Sequence, residues 1–220
     1  AISDKQTEIE LSLDLNKTKT ICQIRNKKLI LPDKGSIELS KLKEPKDKSC
    51  YVIINSKLQK IQFFSRETNQ LYKLIPTENK PLLQISGTSM HKKEFVDLIK
   101  SNKLKGNVLD SGTGLGYTAI ESSKTADKVI TIEIDPTIIE IQKINPWSQE
   151  LFTNKKIKPI EGDLTQEIKN FPKDHFDNII QDTGQFKRTG ELFSTSHYKE
   201  IFRTLKPNGT FYHYIPNPKI

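Results

Sequence analysis

From about residue 89 the chain changes to an alternation of short apolar or β-branched runs with stretches of helical periodicity, and nothing else in it restricts the fold so strongly. The runs at 107–111, 128–134, 156–160, 178–182 and 210–215 read as strands. Helices are expected at roughly 116–125, 136–144, 147–153, 164–170 and 194–205, with HKKEFVDLIKSNKL as an earlier one. Strands joined by helical crossovers lie parallel in one sheet with helices on both faces. The expected fold class is therefore α/β, a Rossmann-like, doubly wound, mostly parallel sheet.

Upstream the text differs. Residues 20–31, 50–56, 59–65 and 70–75 are β-branched or aromatic runs broken by Asn, Asp, Gly, Pro and Lys, which suits a small antiparallel sheet. The expected division is a β-rich domain over 1–85 and a ligand-binding domain over 86–220. Charge divides in the same way: residues 1–85 carry 16 Lys and Arg against 10 Asp and Glu, and residues 86–220 carry 19 against 17. Lys27 and Lys28, with Lys41, Lys43, Lys46 and Lys48, are either a phosphate-facing patch for RNA or a solvated lysine-rich surface. No apolar stretch approaches the ~18 residues of a membrane span, and AISDKQTEIE lacks a signal-peptide layout, so a cytoplasmic location without a membrane partner is expected. Cys22 and Cys50 form no CxxC or Cys/His cluster, and neither a metal site nor a disulfide framework is signalled. The oligomeric state stays open, with a dimer consistent with the sequence.

The strand Val108-Leu109-Asp110 runs into Ser111-Gly112-Thr113-Gly114-Leu115-Gly116. In open parallel sheets ligands sit beyond the carboxyl ends of the strands, and glycine lets main-chain N–H groups approach them closely. The spacing departs from the dinucleotide pattern GxGxxG, and an acid stands two residues before the first glycine. A carboxylate there repels a pyrophosphate but suits an ammonium. S-adenosylmethionine carries that ammonium and no phosphate, so it is the expected cofactor, held by Asp110, Ser111, Gly112 and Gly114. The second strand ends in Glu133 and Asp135, either of which can accept from ribose hydroxyls. Glu133 is preferred, because Asp135 precedes Pro136 and suits a helix cap. In IEGDL, Asp163 is expected to accept from the adenine amino group, with Ile134 and Leu164 flanking the ring. A cap for helix 164–170 is the simpler role for Asp163, and the two can coexist.

Taken in order, VLDSGTGLGY, VITIEID, EGDL, FDNIIQD and LKPNGTFYHY resemble the successive motifs of class I S-adenosylmethionine-dependent methyltransferases over about residues 105–215. LDSGTGLGYTAIE, INPWSQELF and GELFSTSHYKEIFRTLKPNG, with ISGTSMH before them, resemble an uncharacterised archaeal group of methyltransferases over about residues 70–217. Spermidine synthase-like aminopropyltransferases look like relatives of that group, with a small β domain ahead of a Rossmann-like core. The resemblance implies cofactor contact at Asp110, Gly112, Gly114, Glu133 and Asp163.

The fourth strand puts Gln181, Asp182 and Thr183 beside the position of the transferable group. Base-methylating relatives carry Asp-Pro-Pro here, whereas this chain reads Asp182-Thr183-Gly184-Gln185-Phe186. Asp182 is the candidate catalytic base. His91, Phe186, Lys187 and Arg188 are the candidate substrate-binding residues. Methyl transfer to RNA, ahead of protein, is the first expectation. Aminopropyl transfer from decarboxylated S-adenosylmethionine comes second, because His91-Lys92-Lys93 stands where the resemblance puts carboxylates around a polyamine. A cofactor-binding module without activity comes third. His175, His197 and His213 show no ligand spacing and read as surface or core, and Trp147 as a packing residue. Seven-stranded methyltransferases continue beyond the fifth strand, while this sequence ends at IPNPKI, so either truncation or completion by another element is expected.

Overall fold

The computed structural model of the 220-residue chain describes residues 7–32, 35–42, 48–55, 57–66, 68–90, 93–182 and 190–215. It divides into two compact units, Ala1–Ser89 with Ile144–Trp147, and Met90–Lys143 with Ser148–Ile220.

The first unit is antiparallel β. Strands β1 (Glu8–Leu11), β2 (Thr20–Arg25), β3 (Lys28–Leu31) and β4 (Gly35–Glu38) form one sheet in that order. The run over 20–31 is a hairpin, reversing where Asn26 and Lys27 take φ of 50° and 60°. Two consecutive left-handed residues reverse the chain with the twist that a two-residue hairpin needs. Cys22, Leu29, Leu31 and Ile37 form the core on one face. Strands β5 (Tyr51–Ile54) and β6 (Lys57–Lys60) pair with each other. A second four-stranded sheet has β7 (Gln62–Ser65), β8 (Gln70–Ile75), β9 (Leu82–Ile85) and β10 (Thr88–Ser89) in the order β10-β9-β8-β7. Trp147 belongs to this unit: its indole N–H donates to the Leu15 carbonyl at 2.8 Å, and the Lys17 and Lys80 ammoniums lie 5.9 and 5.6 Å from its ring. Cys22 and Cys50 are buried free thiols.

The second unit carries five parallel strands, β11 (Asn107–Ser111), β12 (Lys128–Glu133), β13 (Ile157–Glu161), β14 (Phe176–Gln181) and β15 (Leu205–His213), in the order β13-β12-β11-β14-β15. Helices α1 (Lys93–Asn102), α2 (Tyr117–Ser123), α3 (Pro136–Ile144), α4 (Glu150–Thr153), α5 (Leu164–Glu167) and α6 (Thr195–Thr204) accompany them. Period-2 side-chain alternation fills both faces of the sheet. Val108, Val129 and Ile180 pack with Phe95, Ile99, Ala119, Ile120 and Leu151. Leu109, Ile130 and Ile179 pack with Leu164, Ile168 and Ile201 on the opposite side. Each such aliphatic residue contributes about 1.5–3 kcal/mol by leaving water. The α/β, Rossmann-like fold with an antiparallel β-rich N-terminal region is thus the architecture of this chain.

From β11 the chain winds outward through β12 and β13, then returns to the other side of β11 with β14 and β15. The connections therefore diverge at the carboxyl ends of β11 and β14, where an open sheet leaves a crevice. Among the described residues no helix is long and apolar enough to cross a membrane.

Candidate functional site

The carboxyl end of β11 is a loop with Gly112, Gly114 and Gly116 all at positive φ, 74°, 53° and 78°. Gly116 opens α2, and a Cβ there would collide with the side chain of Leu151, a core residue. Any other residue would strain the backbone and displace the core together.

The loop lies against β12. Gly112 N–H and Thr113 N–H both donate to the Ile132 carbonyl, at 3.0 and 3.1 Å, and Gly114 N–H donates to Glu133 Oε2 at 2.9 Å. Gly112 and Gly114 were expected to approach a ligand; here their amides, with that of Thr113, are satisfied by the neighbouring strand. On its other side, Gln142 Nε2 donates to the Gly114 carbonyl at 2.6 Å and Ser148 Oγ to the Leu115 carbonyl at 2.8 Å. Neither residue was singled out in the sequence. Gln142 carried a signal, being a polar residue on the apolar stripe of Ile138 and Ile141.

Asp110 is wholly buried. Thr131 Oγ1 donates to its Oδ2 at 2.7 Å, and Thr131 Oγ1 also lies 2.7 Å from Thr113 Oγ1. A hydroxyl has one proton, so Thr113 donates to Thr131 and Thr131 to Asp110. Asp110 Oδ1 and Ser111 Oγ, both buried, have no hydrogen-bond partner among the described residues. Burial pushes the Asp110 carboxyl up to about 7, against the Thr118 and Thr131 hydroxyls and with a further rise from the charge of Asp182. Asp182 follows the last residue of β14, and Ser111 pairs with Gln181 across the two strands. The charge of Asp182 thus reaches Asp110 at the divergence point of the sheet.

Glu133 ends β12 and is 7% exposed. Its Oε1 accepts from Ile134 N–H at 3.1 Å and Asp135 N–H at 3.0 Å, and its Oε2 from Gly114 N–H. A carboxylate offers about four acceptor positions, so one is left. Burial raises its pKa to about 7, opposed by those N–H donors and reinforced by the charge of Asp135. Asp135 Oδ1 accepts from Thr137 N–H at 2.8 Å, the capping part expected of it. A cavity of about 170 Å³ adjoins this corner, lined by the polar Thr113, Glu133, Gln142 and Glu161 and by apolar residues that include Ile139 and Phe152.

Asp163 caps α5, its Oδ1 accepting from Thr165 N–H and Thr165 Oγ1 at 2.8 and 2.9 Å. Ile134 is 64% exposed and presents an apolar face, whereas Leu164 is 6% exposed inside the core beside Ile168 and Phe176. His91, Phe186, Lys187 and Arg188 lie outside the described residues. So do Lys92 and Thr183–Gln185.

Gln181 is fully buried and joins two histidines that the sequence offered only as surface or core. Its Oε1 lies 2.8 Å from His197 Nε2, and its Nε2 lies 3.0 Å from the Leu192 carbonyl and 3.1 Å from His213 Nε2. His175 lies apart from this cluster, stacked on Phe171. No group of three or more His, Cys, Asp or Glu among the described residues is arranged to hold a metal ion.

Asp110 Oδ1 and Ser111 Oγ, without partners among the described residues and within the field of Asp182, fit an ammonium group better than any anion. The open acceptor position of Glu133, Asp163 Oδ2 and the exposed face of Ile134 fit the sugar and base of a nucleoside.

Residues 100–218 match the family described as the spermine/spermidine synthase domain. Uncharacterized protein MJ1233 of Methanocaldococcus jannaschii, an archaeon, is 40% identical over 231 residues, which cover 99% of this chain and 78% of that protein. Among solved structures, a spermidine synthase in complex with the transition state analogue AdoDATO aligns at 21% identity with a TM-score of 0.54, covering 72% of this chain and 61% of that one. The chain therefore spans less than two thirds of that protein. The spermidine synthase from Thermotoga maritima aligns at 20% identity with a TM-score of 0.55, covering 79% and 67%. At such identities the two structures share the fold.

Proposed function

The chain belongs to the spermine/spermidine synthase domain family, and on that premise we propose that it transfers an alkyl group from an adenosyl sulfonium donor, with aminopropyl transfer to an amine as the first reading. The observation that carries this is the pair of acids at the divergence of β11 and β14, in which Asp110 is buried, has no partner for its Oδ1 among the described residues, and is raised to about 7 by burial first and by the charge of Asp182 as well. A donor tail bearing only an ammonium relieves that repulsion; a tail that also bears a carboxylate meets two like charges.

Such a donor supplies a carbon activated towards in-line displacement, with a neutral thioether as leaving group. The chain's own residues would do the rest. Asp110 and Ser111 bind the ammonium. Glu133 accepts one ribose hydroxyl while its other acceptor positions keep the glycine loop against β12. Asp163 accepts from the adenine amino group with the oxygen that does not cap α5. Asp182 accepts the proton that the acceptor amine loses as its nitrogen bonds to the transferred carbon.

Methyl transfer from S-adenosylmethionine to RNA is the second reading, favoured by the formal charge of +8 and its concentration in residues 1–85. A field of that sign attracts polyanions and repels polyamines. Calorimetric titration with S-adenosylmethionine and with its decarboxylated analogue separates the two. Tighter binding of the decarboxylated form, followed by turnover with a diamine that Asp182→Asn abolishes, is the expected result. Tighter binding of the intact cofactor would hand first place to methyl transfer, and binding of neither would reject both.

A further inference from the structure

Gln181 occupies the last position of β14, with Asp182 immediately behind it, and its side chain is wholly enclosed. The Leu192 carbonyl can only accept, so the group 3.0 Å from it must be the Gln181 amide nitrogen, which fixes the orientation of that side chain. The oxygen then faces His197 Nε2 at 2.8 Å, and that nitrogen must carry the proton. The same amide nitrogen lies 3.1 Å from His213 Nε2, which must therefore be bare, leaving the His213 proton on Nδ1, 3.5 Å from the Tyr198 hydroxyl. Three neighbours and two tautomers follow from one carbonyl.

His213 must be neutral for this to hold, whereas His197 needs only the proton on its Nε2. A proton on His213 Nε2 would set two donors against each other. His197 Nδ1 is buried and has no partner among the described residues, so a proton there would be a charge without a hydrogen bond. The surroundings agree. Burial holds His197 down to about 4, with His213 lowering it further and the carboxylates of Asp163, at the cap of α5, and Glu200, on α6, pulling the other way. Glu200 is itself paired with Arg203 at 2.7 Å. Around His213 stand the rings of Phe193, Tyr198 and Phe211, at centroid distances of 5.2, 5.7 and 5.1 Å, and burial lowers its pKa too.

We propose that Gln181, gripped between the Nε2–H of His197 and the bare Nε2 of His213, is the positioning residue that sets where Asp182 stands, and that protonation of His213 releases it. The grip joins the end of β14 to the Leu192 turn, the first turn of α6 and the end of β15, all within one unit. The catalytic consequence rests on the role proposed for Asp182; the geometry does not.

Nuclear magnetic resonance on the full chain, with ¹⁵N-histidine and ¹³C-carboxyl aspartate, tests it. At neutral pH His197 should show the Nε2–H tautomer and His213 the Nδ1–H tautomer. On acidification the Asp182 carboxyl signal should pass through a second inflection where His213 titrates. His197→Gln keeps a donor facing Gln181 but cannot titrate, and His213→Gln keeps an acceptor. The double variant should lose that inflection while holding the neutral-pH Asp182 signal in place. Gln181→Leu should shift the signal at every pH; if it fails to fold, the histidine variants carry the test. An Nδ1–H tautomer at His197, or an Asp182 signal indifferent to His213, overturns the proposal. Lack of turnover with either sulfonium donor would instead count against the proposed function, because the resonance outcome stands without it.

Discussion

An ammonium-bearing adenosyl donor should release protons when it binds near neutral pH, and the amount can be worked out. Asp110 and Glu133 are both raised to about 7, chiefly by burial. A group at its pKa is half protonated, so a ligand that requires the carboxylate expels ~0.5 proton per group at pH 7 and ~0.9 at pH 6. Affinity should rise with pH through 7 and level off above about 8. For Asp110 alone, lowering the pH from 7 to 5 weakens binding by about 50-fold, or ~2.3 kcal/mol. The sign for the free protein is the reverse. With folded values above the usual carboxylate range, the native state holds more protons between about pH 4 and 7, so these two groups favour the fold in acid and lose that contribution as pH rises through 7. The assay is titration calorimetry with decarboxylated S-adenosylmethionine at pH 6, 7 and 8, in buffers of different ionisation enthalpy. Asp110→Asn should remove ~0.5 proton of release at pH 7 and flatten its share of the slope. Binding with no proton release, or release untouched by that substitution, would refute the ammonium assignment.

Gly116→Ala should cost roughly 2–4 kcal/mol in urea denaturation, combining left-handed strain with the collision at Leu151, and adding Leu151→Ala should not recover the strain share; a loss below about 1 kcal/mol would remove the packing argument. Asp163→Ala should lose about 1 kcal/mol with the cap of α5, whereas Asp163→Asn keeps the cap. If Asp163→Asn binds either sulfonium donor as well as the parent does, the adenine role is gone and only the cap remains.

What was readable in the sequence follows from period and charge. The three central strands declared themselves because both faces are covered, which yields near-continuous apolar runs such as Val129–Ile132. The acids at strand ends stood out because carboxylates beside apolar runs are conspicuous. The point of reversal at Asn26-Lys27 could not be placed within the run 20–31, since it rests on two positive φ values without a glycine to announce them. Glu8–Leu11 and Gly35–Glu38 are four-residue strands too short to show a pattern. In the site, Asp163 displayed its cap in the spacing Asp163 to Thr165, but nothing local told that the Glu133 carboxylate would be engaged by Gly114 N–H. Gln181, His197 and His213 come from β14, α6 and β15, and only the folded sheet makes them neighbours.

That same strand order has a kinetic side. Asp110 and Thr131 are brought together by β11 and β12, which follow closely in the chain, whereas Asp182 arrives with β14, whose pairing with β11 closes a long loop. Long loops close late in folding, because their entropy is spent before the contacts return anything. The repulsion between the two carboxylates is thus deferred to a late docking step and loads the finished structure, leaving the early one untouched. A bound cation would then act chiefly on the rate at which β14 leaves: it lengthens the life of the folded sheet without hastening its birth.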